Sequence, residues 1–348
     1  MTTDTIAETP VATLMRAETL EAGATVARLL ERNRASLAEV GERLRAAAPD
    51  VVVTCARGSS DHAAMYGKYL IETMVGVPVA SAAPSVASLF DAPVATRRAL
   101  CIAISQSGRS PDLLATVEAQ AKGGAQVVAL VNDETSPLAT MADTLLALSA
   151  GPEKSVAATK SCIAAMAGLA ALVAAWSGDA ALQAAVDALP AQLDRAVALD
   201  WSAGVEPLAQ ATQMFVIGRG YGFGVAQECA LKLKETCQVQ AEPFSAAEVR
   251  HGPMAIVGEG FPVLALATSD AAGDDVMAVV ETFADRGAAV LAAHAGDARA
   301  VLPALDAHPA VQPILLLASF YGLAEALSRR RGLDPDTPPH LAKVTRTL

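Results

Sequence analysis

Three groups of side chains in this sequence have the types and spacing for chemistry. The first lies in ISQSGRSPDLL, residues 104–114. An apolar run ends at Ser105, and Gln106, Ser107, Gly108 and Ser110 follow before Pro111 opens a helical pattern. A helix start leaves backbone N–H groups unpaired at the positive end of the helix dipole. The hydroxyls of Ser105, Ser107 and Ser110 and the Gln106 amide add neutral donors, and Gly108 allows close backbone approach, a set that suits a phosphate. Ser110 and Pro111 also read as the N-cap and first residue of an ordinary capped turn, and residue chemistry alone leaves both readings open. No Gly-Lys-Thr follows, so a nucleoside-triphosphate loop is excluded. The stretch RGSSDH (57–62) ends an earlier apolar run in the same way. Loops at one edge of a parallel sheet converge, which brings Ser59 and Ser60 into the same candidate site.

The second group is ALKLKE, residues 230–235. Lys232 and Glu235 share a helical face, and Glu228 joins them at i,i+4. Taken alone, such a pair is a surface ion pair. In EVRHGPMAI (248–256), His251 precedes Gly252-Pro253 on a tight turn, where a histidine often serves only as a cap. The third group is a single residue, Lys343, in the C-terminal HLAKVTRTL. Position alone predicts a solvated tail. The three prolines of DPDTPPHLAK restrict the chain and favour an extended strap that could return Lys343 to the sheet edge.

These residues need a scaffold. Apolar and charged positions alternate at helical spacing over 12–48, predicting one or two amphipathic helices. Short β-branched runs follow at 51–56, 78–83, 99–104, 126–131 and 144–148, separated mostly by helical segments. The pattern returns at 213–218, 262–268 and 287–292. This is the alternation of βαβ units on parallel sheets. The two halves also align: residues 56–73 face 218–236, with Arg57-Gly58 on Arg219-Gly220 and Glu72-Thr73 on Glu235-Thr236. The expected fold is α/β, two doubly wound, three-layer, flavodoxin-like domains in tandem. The expected division is N-terminal helices over 1–48, a first domain over 49–190, a second over 200–335 and a C-terminal tail over 336–348, with the boundary in the polar stretch 177–203. In the second copy, Thr268-Ser269-Asp270 stands where Ser105-Gln106-Ser107 stands in the first, so a carboxylate occupies the place of the anion. The glycine-rich GRGYGFG (218–224) does not spell G-x-G-x-x-G, and a dinucleotide site is excluded.

The chain has 348 residues and a formal net charge of −11, with no basic stripe, which argues against a nucleic-acid partner. Five cysteines without C-x-x-C spacing read as buried, reduced thiols. The acidic, polar N-terminus is no secretory signal, and the apolar stretch 161–176 reads as a buried helix too short for a membrane span. A cytoplasmic protein without a membrane partner is expected.

SQSGRSPD, EKSVAATK (153–160), ALKLKE, EVRHGPMA and HLAKVT occur here in an order that resembles the sugar isomerase (SIS) domain family, in particular the isomerase half of the glucosamine-6-phosphate synthases. The resemblance implies a phosphosugar substrate and no cofactor or metal. Ser105, Gln106, Ser107 and Ser110 would hold a 6-phosphate, with Ser59 and Ser60 nearby. Val156, Ala157 and Glu153 would border the sugar. Glu235 would move a proton between carbons 1 and 2, and Lys232 would tune its charge. His251 would help to open the ring from the neighbouring subunit of a homodimer, and Lys343 would approach the carbonyl carbon. Two departures stand out. The chain opens Met1-Thr2 where the synthases carry a glutaminase domain, so ammonia from glutamine is not expected. Arg109 and Pro111 replace an acidic residue and a non-proline, as in stand-alone family members that deaminate glucosamine 6-phosphate.

Overall fold

The fold follows from where the chain alternates between β-branched and alanine-rich segments. A computed structural model describes residues 12–343. It begins with helices α1 (Leu14–Leu20) and α2 (Ala22–Ala47). The first α/β unit then runs β1 (Val51–Cys55), α3 (Ser59–Met74), β2 (Val79–Ser81), α4 (Pro84–Ser88), β3 (Ala99–Ser105), α5 (Pro111–Lys122), β4 (Gln126–Val131), α6 (Pro137–Met141) and β5 (Thr144–Ala147). Helices α7 (Lys160–Ser177), α8 (Ala180–Ala196) and the short α9 (Val205–Leu208) lead to the second unit. There β6 (Gln213–Gly218), α10 (Phe223–Cys237), β7 (Gln240–Ser245), β8 (Pro262–Leu266), α11 (Ala271–Ala284) and β9 (Ala289–Ala293) follow, and after α12 (Gln312–Arg330) the described residues run through turns and bends.

Both sheets are wholly parallel, and their strand orders match: β2-β1-β3-β4-β5 in the first and β7-β6-β8-β9 in the second. A fifth strand of the second sheet is reduced to one parallel bridge, Ala293 to Leu302. The proline that follows, Pro303, removes the next ladder donor. Every residue of β3 is buried, as expected of a central strand covered on both faces. The main core runs between the two sheets. It joins Val52, Ile102 and Val128 of the first to Val216 and Leu264 of the second through α3, α7, α10 and α12. Each sheet keeps a smaller core on its outer face.

The structure adds to the sequence reading at three places. No strand was expected at 240–245, because Glu242 and Pro243 break the apolar pattern; β7 forms there at the sheet edge, where a proline is tolerated. The stretch 177–203, where the boundary is expected, holds α8. Asp179 caps it by accepting from Ala181 N and Leu182 N, and Leu182, Val186, Leu189 and Leu193 bury one face. Finally, α7 with its flanks is longer than the run read from sequence: its 18 residues are long and apolar enough to cross a membrane, but 89% of that window is buried inside the protein, so it is a core helix here. All five cysteines are buried and free.

Candidate active site

The 105–110 turn sits at the C-terminal end of β3. Ser105 Oγ accepts from Gly108 N at 2.9 Å and tightens the turn. Gly108 has φ +63°, and a Cβ there would lie 2.2 Å from Ser136 Oγ, so both conformation and space demand glycine. Ser110 is the N-cap of α5 and Pro111 its first residue, yet the Ser110 side chain makes no capping bond. Its hydroxyl stays available to a ligand. Ser59, Ser60, Ser105, Gln106, Ser107 and Ser110 line one cleft of about 380 Å³, together with Arg57 and Lys343. Arg109 turns instead to Asp133, at 2.8 Å. Arg57 is held by two bonds to Asp112 Oδ2, at 2.9 and 2.7 Å, and the second unit repeats this brace between Arg219 and Asp275.

The corresponding turn of the second unit is closed upon itself. Asp270 Oδ1 accepts from Thr268 Oγ1 at 2.7 Å and from Gly273 N at 3.1 Å, capping α11. Gln312 accepts from Ser269 N at 2.6 Å and donates to Ser269 Oγ at 2.7 Å. A carboxylate and a glutamine thus use the donors that the first unit leaves open.

Helix α10 crosses α3 so closely that a Cβ on Gly224 would lie 2.6 Å from His62 O. That approach brings Lys232 beside Ser59. Lys232 is fully buried, which overturns its reading as half of a surface ion pair. Its Nζ lies 2.6 Å from Glu235 Oε2, 3.2 Å from Glu228 Oε1 and 3.1 Å from Ser59 Oγ. Burial disfavours the ammonium, but Glu228 and Glu235 outweigh it and hold the Lys232 pKa above the usual lysine value. Glu228 is likewise fully buried. Burial pushes its carboxyl up, while Lys232 and His62 more than offset this and leave it below the ordinary range. His62 Nδ1 is 2.9 Å from Glu228 Oε2, and Tyr321 donates to Glu228 Oε1 at 3.2 Å. Glu235 is only partly buried and borders a second cleft with His340 and Leu341. Successive contacts link Ser59 to Lys232 and Lys232 to Glu235, but neither Lys232 nor Glu235 lines the 105–110 cleft.

Lys343 follows a segment of turns and bends after α12, and the expected anchoring by Leu341 and Ala342 does not occur, since His340, Leu341 and Ala342 are exposed; the Lys343 side chain itself is held. Its Nζ donates to Glu153 Oε2 at 3.0 Å and to Ser155 O at 2.7 Å. Residues 344–348 of the expected tail lie outside the described residues. The Glu153 side chain is buried and also accepts from Thr159 N, Ser161 N and Ser161 Oγ at 3.0, 3.1 and 2.7 Å. Burial pushes its carboxyl up, but the Lys343 ammonium and these donors win and hold it below the usual value. Val156 N donates to Asp336 O at 3.1 Å, and Ala157 is buried beside it. His251 lies elsewhere. It ends a 3-10 turn at Glu248–His251, is exposed, and is not among the residues lining the cleft.

Sequence reasoning passed over His62, Tyr321, Glu18 and Asp336. His62 follows Ser59-Ser60-Asp61 by position and could have been found from the helical spacing; the others carry no local signal.

Two parallel sheets of matching strand order, joined through shared helices, define a tandem of doubly wound α/β domains. The SIS domain profile matches residues 48–175 and 207–295, and the chain belongs to the SIS domain family. It is 33% identical over 88% of its length to a glutamine–fructose-6-phosphate aminotransferase [isomerizing] of Symbiobacterium thermophilum, of which it covers 54%. It is 36% identical over 87% of its length to the protein of that name from Halobacterium salinarum, covering 52%. The chain spans about half the length of the curated relatives it matches. Among solved structures it resembles a "putative phosphosugar isomerase" from Silicibacter pomeroyi, with TM-score 0.88 and 43% identity, covering 93% of this chain and 100% of that one. A glucosamine-6-phosphate deaminase from Thermotoga maritima shares the fold at TM-score 0.72 and 22% identity, over 93% of this chain and 99% of that one.

Proposed function

We propose that this chain is a phosphosugar aldose–ketose isomerase that takes glucosamine 6-phosphate and water to fructose 6-phosphate and ammonia. The observation that carries the reading is the presence of the Lys343 amine in the same cleft as the Ser105–Ser110 turn. The serine turn offers neutral donors to a phosphate; Lys343, after giving up a proton, offers an amine to a carbonyl carbon. The names of the related proteins favour the same substrate class.

In this reading Ser105, Gln106, Ser107 and Ser110 hold the 6-phosphate, a remote handle whose binding energy orients the reacting end. Ser59 and Ser60 close its near side. Backbone groups of Val156 and Ala157 border the sugar, and Glu153 holds Lys343 over it. Glu235 takes the proton from carbon 2 and returns it to carbon 1, a task that suits a carboxylate able to reach adjacent carbons. Lys232 keeps its charge and orients the Glu235 carboxylate. Water then replaces the amino group at carbon 2. His251 completes the site from a second copy in a homodimer and assists ring opening, which accounts for its exposure in the single chain.

The test is direct. The pure protein is incubated with glucosamine 6-phosphate, galactosamine 6-phosphate and a fructosamine phosphate, and ammonia and ketose phosphate are measured. Release from the first alone supports the proposal. Faster release from another reassigns the substrate. Binding by calorimetry without turnover of any would make the chain a phosphosugar sensor.

A further inference from the structure

We infer that Asp336 is a positioning residue for Lys343, fastening the base of the C-terminal strap to helix α1 and thereby setting where the amine stands over the cleft. Only the kinetic part of this inference rests on the proposed function.

Asp336 Oδ2 accepts from Leu14 N and Oδ1 from Met15 N, both at 2.7 Å. A carboxylate thus caps the first turn of a helix more than 300 residues away, where unpaired N–H groups and the dipole favour negative charge. The helix is itself anchored, because Thr13 Oγ1 donates to Glu325 Oε1 of α12 at 3.1 Å. The carbonyl of Asp336 accepts from Val156 N. One turn along α1, the buried Glu18 accepts from the backbone N–H groups of Lys154 and Ser155. The segment around 153–157 is therefore gripped by α1 and by the strap base, and it presents Glu153 and Ser155 O to Lys343. The contacts close a circuit from α1 through residues 154–155 to Lys343 and back along the strap to Asp336.

Geometry shows why the base matters. From Asp336 the strap reaches Lys343 in seven residues, a span of at most about 25 Å; from the end of α12 at Arg330 the tether is thirteen residues, about 45 Å. Without the side-chain anchor only the backbone bond from Val156 N to Asp336 O holds the base; each time it opens, the volume open to the amine grows and its effective concentration at the cleft falls. Asp334 supports the fastening by accepting from Asp336 N at 2.9 Å.

The test uses the full chain with Asp336→Ala and Asp336→Asn. The first readout needs no substrate: the rate at which acetic anhydride acetylates Lys343, followed by mass spectrometry. In Asp336→Ala that rate should rise roughly 10- to 100-fold, the shift expected on losing hydrogen bonds to a charged group. Asp336→Asn keeps one acceptor and should fall between. The second readout is kinetic: kcat should fall by a similar factor with KM within about twofold, because the phosphate turn is untouched. Unchanged Lys343 labelling in both folded variants would overturn the inference, as would a raised KM with unchanged kcat. Faster labelling in a protein that turns over no phosphosugar would support the positioning and sink the proposed function instead.

Discussion

Lys343 Nζ lies 3.0 Å from Glu153 Oε2, although 190 residues separate them in the chain. The pair joins the end of the C-terminal strap to the segment that opens helix α7. Glu153 has its pKa below the unfolded value, so it contributes stability above that value, and the contribution is lost as pH falls through the folded one. The ordinary glutamate value of 4.5 marks where the loss begins. Glu153→Gln should therefore be less stable than the native chain near neutral pH, and the gap should shrink as pH drops below about 4.5. Urea unfolding midpoints across that range would check it; an equal gap at every pH would disconnect Glu153 from the acid stability of the fold.

Glu235 is the proposed proton carrier. Glu235→Gln keeps the shape and a partner for Lys232 but removes the basic carboxylate. Turnover of glucosamine 6-phosphate should fall roughly 10²–10⁴-fold while calorimetric affinity stays close to native. Near-native turnover would leave Glu235 as no more than the outer partner of a buried lysine.

The two matching turns predict opposite outcomes. Ser107→Asp places a carboxylate in the donor-lined cleft, and phosphosugar binding should be lost through like-charge repulsion. Asp270→Ala, in the second unit, removes the cap of α11 and should cost about 1 kcal/mol of stability. Its phosphosugar affinity should not change. Calorimetry on both variants, with thermal unfolding of the second, decides the matter; retained binding in folded Ser107→Asp would remove the phosphate from this turn.

Lys232 is buried between two carboxylates, so deleting its charge is severe. Lys232→Met leaves Glu228 buried without its main counter-charge, and roughly 3–5 kcal/mol of stability should be lost. Adding Glu228→Gln neutralises the stranded carboxyl and should restore a large part. Chemical denaturation of the single and double variants reads this directly. If the double variant is no more stable than the single one, the stranded Glu228 charge is not what destabilises Lys232→Met.

Most of the strands, the tandem repeat and the 105–110 turn were legible in the sequence, because these are local properties. The apolar run of β3 is bounded by hydroxyl and amide residues, and Pro111 marks the start of α5 within its own few residues. The Asp270 substitution in the second copy was equally plain, since the repeat supplies its own comparison. Strand β7 was not legible, because Glu242 and Pro243 obey the needs of a sheet edge and not an apolar period.

What only the tertiary structure decided is which of these residues meet. The spacing of Lys232 and Glu235 describes a surface pair and a buried one equally well. The close crossing at Gly224 brings α3 against α10, so that Lys232 meets Ser59 and His62 meets Glu228. Likewise, nothing near Lys343, Glu18 or Asp336 in the chain names their partners, since helix-capping carboxylates and returning straps are specified by contacts across hundreds of residues. Element identity is written in short-range periodicity; a site is made by the packing of elements that periodicity leaves unordered in space.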